Sequence, residues 1–353
     1  MKHTLKKLLR TCVSKFFGLT GLRAMFRSGR HGVPVLMFHN VGYPKETEYL
    51  PDHMKISESK LSKLLRRLGS AGYRTVTVSE MVAELETGTT PGDAIVLTFD
   101  DGYRDNHDVL LPILAEHEAV ATVYVQTGPM KGRLNWLHHY FWVLHRIGPH
   151  ELGGKLAERI EKPHLAADLR GLPSGEVEGE YQLKRLLKYE VRPEDRDEML
   201  SGIFEELGGD DATLASEVYL DPEACRALDR AGVEIGAHTV NHLVLSSLEA
   251  KHQRLEIEGS LTDLESWLGH DVPAFAYPYG RTWDYDAATL EILGDLGFES
   301  SVTAMPGLNT PGTSRMELRR FAVNQDTDMA ELLCEVDGVF DWFERRGVNL
   351  RVG

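Results

Sequence analysis

Short apolar runs alternate with longer amphipathic segments along most of the chain. The runs are rich in β-branched residues, which is typical of buried strands. The segments between them repeat apolar residues at helical spacing, and two of them, SKLLRRLGSAG and PEACRALDRAG, close with a glycine that favours a helix C-terminus. This alternation predicts an α/β fold with a mainly parallel sheet or a barrel. The predicted strands cover residues 33–38, 73–78, 94–99, 121–125, 233–237, 274–278 and 299–304.

A stretch from about residue 131 to residue 220 interrupts this alternation. It contains two long helical patterns, LHHYFWVLHRI and YQLKRLLKYE, with loops that contain glycine and proline around them. Its charged residues show no motif spacing. We therefore interpret it as a helical insertion between two strands of the sheet, acting as a lid or a packing module.

Residues 1–30 form a basic segment in a chain that is acidic overall. The 353 residues carry a formal net charge of −15, which argues against a general nucleic-acid binder. The first 30 residues contain lysines and arginines but no acid, and their apolar residues recur at helical spacing. Two alternatives follow: an amphipathic helix in peripheral contact with an anionic membrane, or a basic helix that is solvated or packed on the protein. Residues 31–353 are predicted to form the barrel domain that carries the insertion.

Targeting signals and cysteines give a prediction about the compartment. No apolar run approaches the roughly 18 residues needed to span a bilayer. Lys15 and Arg23 interrupt any signal-peptide core in the basic segment. Cys12, Cys225 and Cys334 lack metal or redox spacing, so no disulfide framework is implied. We expect a reducing compartment, the cytoplasm.

Polar residues follow the predicted strands at their carboxyl ends. His39 follows VPVLMF, and Asp100 and Asp101 follow AIVLTF. His238 follows VEIGA, and YPYG at 277–280 closes AFAYP. Barrel enzymes assemble their active sites from the carboxyl ends of strands, so we expect these four segments to meet.

Two histidines and one of the paired acids predict a metal site. His238 and His242 in HTVNH are four residues apart, and both can reach one ion if residues 238–242 form a single turn. Adding Asp101 gives a two-histidine, one-carboxylate site for Zn²⁺ or a similar ion, which leaves Asp100 free as a base. Gly102 would supply the turn that keeps both carboxylates on one side. The alternatives are packing histidines and an Asp-Gly turn without chemistry.

Three motifs in this order give the sequence a family resemblance. TFDDGY (98–103), HTVNH (238–242) and YPYG (277–280) resemble those of the polysaccharide deacetylases, the family with the nodulation-deacetylase homology domain. The resemblance covers roughly residues 33–125 and 220–325, and it is strongest to the exopolysaccharide-type members. It implies a distorted (β/α)7 barrel, interrupted here by the helical insertion, and removal of N-acetyl groups from amino sugars with a bound divalent metal, for which the donor set above favours Zn²⁺.

The resemblance also implies roles for individual residues. Asp100 would be the general base, and the backbone N–H of Tyr279 would contribute to the oxyanion hole. The arginine that many members carry before the motif tyrosine is replaced by Ala276, and the usual Leu-x-His general acid is missing. In the exopolysaccharide-type members His39 and Arg320 have counterparts that fill these gaps, His39 as the acid and Arg320 as the partner of Asp100. The metal ligands would be Asp101, His238 and His242.

Several functions stay open on these residues. The preferred one is an N-deacetylase acting on an acetylated amino-sugar glycan or its precursor in exopolysaccharide biosynthesis. A deformylase or another C–N hydrolase would use the same residue types. A third possibility is an inactive glycan-binding or assembly protein. The pair Asp100 and Asp101 argues against it, because a binding module has no use for a buried unpaired acid. An Fe(II) oxygenase would predict a β-rich pattern instead. Trp136 and Trp283 could stack on sugar rings or pack within the protein.

Overall fold

The computed structural model describes residues 2–27 and 29–350, and its strands and helices alternate over most of that length. The strands are β1 (Val33–Phe38), β2 (Asn40–Val41), β3 (Lys55–Ile56), β4 (Arg74–Val76), β5 (Ala94–Phe99), β6 (Thr122–Val125), β7 (Glu234–Ala237), β8 (Ala274–Ala276), β9 (Ser300–Val302), β10 (Leu308–Asn309) and β11 (Phe321–Ala322). The helices are α1 (Lys2–Thr20), α2 (Ala24–Arg27), α3 (Glu58–Ser70), α4 (Val78–Glu86), α5 (Leu111–Glu116), α6 (Trp136–Arg159), α7 (Pro163–Arg170), α8 (Glu176–Tyr189), α9 (Pro193–Glu206), α10 (Asp211–Val218), α11 (Pro222–Arg230), α12 (Ala250–Leu268), α13 (Ala287–Asp295), α14 (Met329–Val336) and α15 (Val339–Glu344).

A curled, mainly parallel sheet forms the centre of the molecule. Strands β1, β5, β6, β7, β8 and β9 are parallel neighbours in that order. A parallel bridge joins Val302 at the end of β9 to Leu318, and β11, which follows, pairs in parallel with the free side of β1. Strand β4 pairs with the first three residues of β5, and β6 pairs with the last two residues of β5. The sheet is therefore a distorted barrel with a helical insertion, which confirms the predicted fold class.

The strand bounds follow the sequence pattern closely. Strands β1 and β5 have the predicted bounds, and the other five predicted strands are shorter than predicted by one to three residues. Both central strands are continuous apolar runs because helices cover one face of the sheet and side chains fill the barrel on the other. The two-residue strands β2, β3, β10 and β11 were not predicted, since two residues are too short to show a period.

The helices α6 to α10 lie between β6 and β7, which are neighbours in the sheet. Their buried apolar side chains form a cluster separate from the barrel core. The long helix α6 changes direction at Gly148, which has a φ of 72° and is followed in the chain by Pro149. The stacked rings of Tyr103 and Tyr219, with centroids 5.4 Å apart, join this cluster to the barrel. The exact domain boundaries stay a prediction.

The basic segment packs against the C-terminal helices. Arg10 on α1 pairs with Glu331 and Glu335 on α14, each at 3.0 Å, and Arg23 pairs with Asp337 at 2.7 Å. This agrees with the packed-helix alternative, although apolar side chains of α1 such as Phe16 remain exposed. Among the described residues, no helix combines the length and apolar character that crossing a bilayer requires. Contact with a membrane surface stays a prediction.

Candidate active site

The segments after β1, β5, β7 and β8 meet at one end of the barrel, around a cavity of about 160 Å³. All seven candidate residues that the sequence singled out line this cavity. Residues as far apart in the chain as His39 and Arg320 are brought together because parallel strands point their carboxyl ends the same way. These residues are His39, Asp100, Asp101, His238, His242, Tyr279 and Arg320.

Asp101, His238 and His242 form a compact cluster of ligand atoms. All three side chains are buried, and one ligand atom from each lies within 4.8 Å of the others. The Nε2 atoms of both histidines are 3.5 Å from the same oxygen, Oδ1 of Asp101. A carboxylate oxygen and two imidazole nitrogens around one point form a donor set that suits Zn²⁺ and several other divalent ions.

Hydrogen bonds orient the two imidazoles. Nδ1 of His238 is 2.7 Å from the backbone oxygen of Ala276, so Nδ1 carries a hydrogen and donates it, and Nε2 is the ring nitrogen that faces Asp101. Nδ1 of His242 is buried without a hydrogen-bond partner among the described residues. The backbone N–H of His242 donates to Oγ1 of Thr239 at 3.0 Å, which fixes the loop between the histidines. The residues present therefore suit a divalent ion held by the two Nε2 atoms and Asp101.

Left-handed backbone delivers these side chains. Asp101, Thr239, His242 and Tyr279 have φ values of 78°, 64°, 55° and 63°. Among the described non-glycine residues, only Glu118 shares this conformation, which costs on the order of 1 kcal/mol or more per residue. Residues 238–242 are thus not a helical turn, because two left-handed residues bring the imidazoles together. At the paired acids, the sequence predicted a turn at Gly102. Gly102 does have a left-handed backbone, but Asp101 adopts this strained conformation as well.

Arg320 binds Asp100 through two parallel hydrogen bonds. Nη1 donates to Oδ1 at 2.6 Å and Nη2 donates to Oδ2 at 2.8 Å. The guanidinium is held by further bonds, from Nε to the backbone oxygen of Thr303 at 2.8 Å and from Nη1 to Oγ1 of Thr98 at 3.1 Å. Both partners are buried, whereas neighbouring Arg319 is exposed on the other side of the chain. Arg320 therefore contacts the carboxylate of Asp100, which is the group that the motif arginine, replaced here by Ala276, was expected to orient.

The charges of the site keep both carboxyl groups ionised. Burial alone would raise the pKa of Asp100, but the Arg320 guanidinium lowers it below the ordinary value. Burial likewise opposes ionisation of Asp101, and the bond to His238 together with the nearby His242 holds its pKa well below the ordinary range. Burial lowers the pKa of His242 to about 3, so this imidazole is neutral at physiological pH. An ionised carboxylate and a neutral imidazole are the forms that bind metal.

Two residues that support the site were missed by the sequence analysis. Nε2 of Gln126 donates to Oδ1 of Asp101 at 2.7 Å, and Nδ2 of Asn135 donates to Oε1 of Gln126 at 2.8 Å. Asn135 also caps helix α6 by accepting from the backbone N–H of Leu137. The position of Gln126 directly after β6 is the signal that could have revealed it, since other site residues also follow strands.

The helical insertion covers one side of the cavity. Nε1 of Trp136 donates to the phenolic oxygen of Tyr279 at 2.9 Å, and Leu137 and Lys184 line the cavity itself. Trp136 is only 1% exposed, so it packs within the protein and has no free face for a sugar ring. Trp283 is 61% exposed beside the insertion. Of the two tryptophans considered for stacking, only Trp283 is accessible.

An α/β barrel that gathers carboxylates, imidazoles and a buried arginine at the carboxyl ends of its strands has the architecture of a barrel enzyme. Comparison with protein families identifies which one. The chain belongs to the polysaccharide deacetylase family, because the model described as Polysaccharide deacetylase matches residues 87–160 and 199–301, together half of the chain.

Two solved structures and one further relative are similar to this chain. The Streptococcus pyogenes deacetylase PplD, solved with acetate, has a TM-score of 0.57 and 20% identity, covering 86% of this chain and 98% of that one. IcaB from Ammonifex degensii has a TM-score of 0.52 and 17% identity, covering 87% and 97%. Bacillus subtilis (strain 168) YxkH, whose polysaccharide deacetylase assignment is itself provisional, is 20% identical over 293 residues, covering 83% of this chain and 71% of its own length. The structural likenesses show the shared fold.

Proposed function

We propose that this protein is a metal-dependent hydrolase that removes N-acetyl groups from the amino sugars of a polysaccharide or its precursor. The observation that carries the proposal is one cavity in which the Asp100–Arg320 pair lies beside the cluster of Asp101, His238 and His242. Amide hydrolysis needs a base, an electrophilic centre and an acid, and this cavity holds a candidate for each.

The cluster would hold the ion. Asp101, His238 and His242 would be its protein ligands, and Zn²⁺ suits a donor set of this kind. The chemistry that such an ion supplies when bound is Lewis-acid activation of water and of the amide carbonyl. Gln126, which donates to Asp101, would keep the carboxylate in its ligand orientation.

The remaining residues would move protons and stabilise charge. Ionised Asp100 accepts the proton of the attacking water, and Arg320 keeps that carboxylate charged and fixed in orientation. The backbone N–H of Tyr279, which has no hydrogen-bond acceptor among the described residues, donates to the developing oxyanion. His39 donates a proton to the departing amine, which is a poor leaving group without it.

The test is acetate release from a panel of acetylated amino sugars by the ion-loaded protein. We expect Asp100→Asn to reduce turnover by about 10² to 10⁴-fold, the usual contribution of a general base, and His39→Ala to reduce kcat with little change in ion affinity. Asp295→Asn, an exposed aspartate on α13 paired with Arg254, is the control. Wild-type turnover by Asp100→Asn would overturn the mechanism, and release of formate would indicate a deformylase instead.

A further inference from the structure

Lys184 is a cation in the active-site cavity that forms no salt bridge with any acid among the described residues. It lies on α8, in the helical insertion, and its side chain lines the cavity with Asp100 and Asp101. Its Nζ atom is 4.6 Å from the ring centroid of Phe141, and it forms no ion pair with a described acid. Lys188, one turn further along the same helix, pairs with Asp284 at 3.1 Å. An unpaired, half-buried ammonium group is costly to keep unless it has a ligand.

The acids of the cavity already have partners. Asp100 uses both of its oxygens in the bonds to Arg320. Asp101 faces two imidazoles and accepts from Gln126, and the ion of the proposed function would neutralise it further. Lys184 is therefore not needed to balance either carboxylate.

Other positively charged or chargeable groups surround Lys184 at the cavity. His39 and His53 line the same space. Burial, and then the nearby positive charges of Lys184 and His39, lower the pKa of His53 to about 4. Burial lowers the pKa of Lys184 to about 8, although the charge of Glu180, one turn earlier on α8, opposes this change, so Lys184 still carries its charge at neutral pH. Asp100 and Asp101 are the only described acids that line this cavity, and both already have partners.

We propose that Lys184 binds an anionic group, a carboxylate or a phosphate ester, on the sugar whose acyl amide is hydrolysed. This inference rests on the proposed function and specifies its substrate class as an acidic amino sugar. Helix α8 lies within residues 161–198, which the polysaccharide deacetylase model does not match. The selectivity would therefore come from the insertion, and the chemistry from the barrel.

The test compares neutral and anionic substrates in the full-length, ion-loaded protein without phosphate buffer. The substrates are N-acetylglucosamine, its 1-phosphate, its 6-phosphate and N-acetylglucosaminuronic acid, so that the preferred anion and its position are distinguished. For the preferred anionic sugar we expect Lys184→Met to lower kcat/KM about tenfold or more, mainly through KM, and to leave the neutral sugar unaffected. Lys184→Arg should retain most of the preference. Lys162→Met, an exposed lysine of the insertion outside the cavity, removes the same charge and should change neither value.

A binding measurement separates this inference from the proposed function. Calorimetry of the deacetylated anionic and neutral sugars needs no turnover, and wild-type protein should bind the anionic one about tenfold more tightly. If no sugar is deacetylated but this preference exists and is lost in Lys184→Met, the proposed function fails and the anion site stands. If neutral and anionic sugars are bound and processed alike, and Lys184→Met alters neither, the anion site is refuted and the deacetylase function stands.

Discussion

Arg320 fixes the orientation of Asp100 through a two-bond geometry that lysine cannot reproduce. We therefore expect Arg320→Lys to lower kcat at least tenfold with KM nearly unchanged. Arg320→Met should lower kcat further and cost about 3 to 5 kcal/mol of folding free energy, because it leaves a buried carboxylate unpaired. Steady-state kinetics and chemical denaturation measure both effects. Arg319→Met, at the exposed neighbouring residue, is the control, and a wild-type kcat for Arg320→Met would contradict the assigned role.

Asp105 gives a prediction about pH. Burial raises the pKa of Asp105 to about 7 from its usual value of 3.8. Between these pH values the folded protein binds a proton that the unfolded chain releases, so this group lowers folding stability progressively as pH rises from about 4 to about 7. Asp105→Asn removes the group that must ionise. Its stability advantage over wild type should therefore grow by roughly 2 to 3 kcal/mol between pH 5 and pH 8.

The neighbours of Asp105 can accommodate that substitution. The side chains of Asn40 and Asn106 donate to Asp105 at 2.8 Å and 2.9 Å. Their own amide oxygens are buried without a partner among the described residues, so a flipped amide could accept from the introduced one. Urea denaturation of both proteins at the two pH values measures the difference. An advantage that is the same at pH 5 and pH 8 would show that Asp105 is ionised throughout.

The sequence shows which residues carry chemistry better than it shows which residues support them. Asp100, Asp101, His238 and His242 could be predicted because they follow strands and have motif spacing. Lys184 could not, since it lies on a helix whose distance from the barrel depends on how the whole insertion packs. The left-handed conformation of Asp101 was also beyond prediction, because only the surrounding packing makes a strained residue tolerable.

At the level of elements, the loop after β6 supports the loop that carries both histidines. The backbone N–H of Gly128 donates to the oxygen of Val240 at 2.9 Å. A Cβ at Gly128 would lie 2.5 Å from that same oxygen, closer than any real contact. We expect Gly128→Ala to displace the loop between the histidines, to destabilise the fold by about 1 to 3 kcal/mol and to weaken ion binding. Denaturation and ion titration measure the two effects.

A glycine in open space gives the matched control. Gly202 lies within α9, and nothing comes within 4 Å of a Cβ at that position. Gly202→Ala should therefore stabilise the protein by about 0.5 to 1 kcal/mol, as expected for a helix interior. If Gly128→Ala behaved like Gly202→Ala, the proposed support of the histidine loop would be wrong.

Elements with a long period were predictable and short ones were not. Gly72 and Gly232 end their helical patterns with φ values of 78° and 87°, as their positions after α3 and α11 predict. Strand β11 contains two residues, and only its pairing with β1 makes it a strand. The placement of the insertion over the cavity depends on contacts between distant residues, such as Trp136 with Tyr279, which no local pattern encodes.

At the level of the whole molecule, the proposed ion should stabilise the fold as well as the reaction. An ion that binds only the folded state adds about 2.7 kcal/mol when its free concentration is 100 times Kd. Dialysis against a chelator should lower the Tm and abolish acetate release, and Zn²⁺ should restore both. In Asp101→Asn the Tm should no longer depend on the ion. A wild-type Tm that is the same with chelator and with Zn²⁺ would contradict the assigned ligands.

The contact between α1 and α14 has a consequence for how the chain acquires its structure. Thr11 on α1 donates to Glu331 on α14, and these residues are separated by 320 positions. At about 5 to 20 residues per second, a ribosome needs roughly 15 to 65 s to add the partner after the first helix has been made. During translation, Val13 and Phe17, which pack near the C-terminal helices in the finished protein, have nothing to cover them. The apolar side of α1 therefore waits for almost the whole chain to be made before the residues that cover it exist.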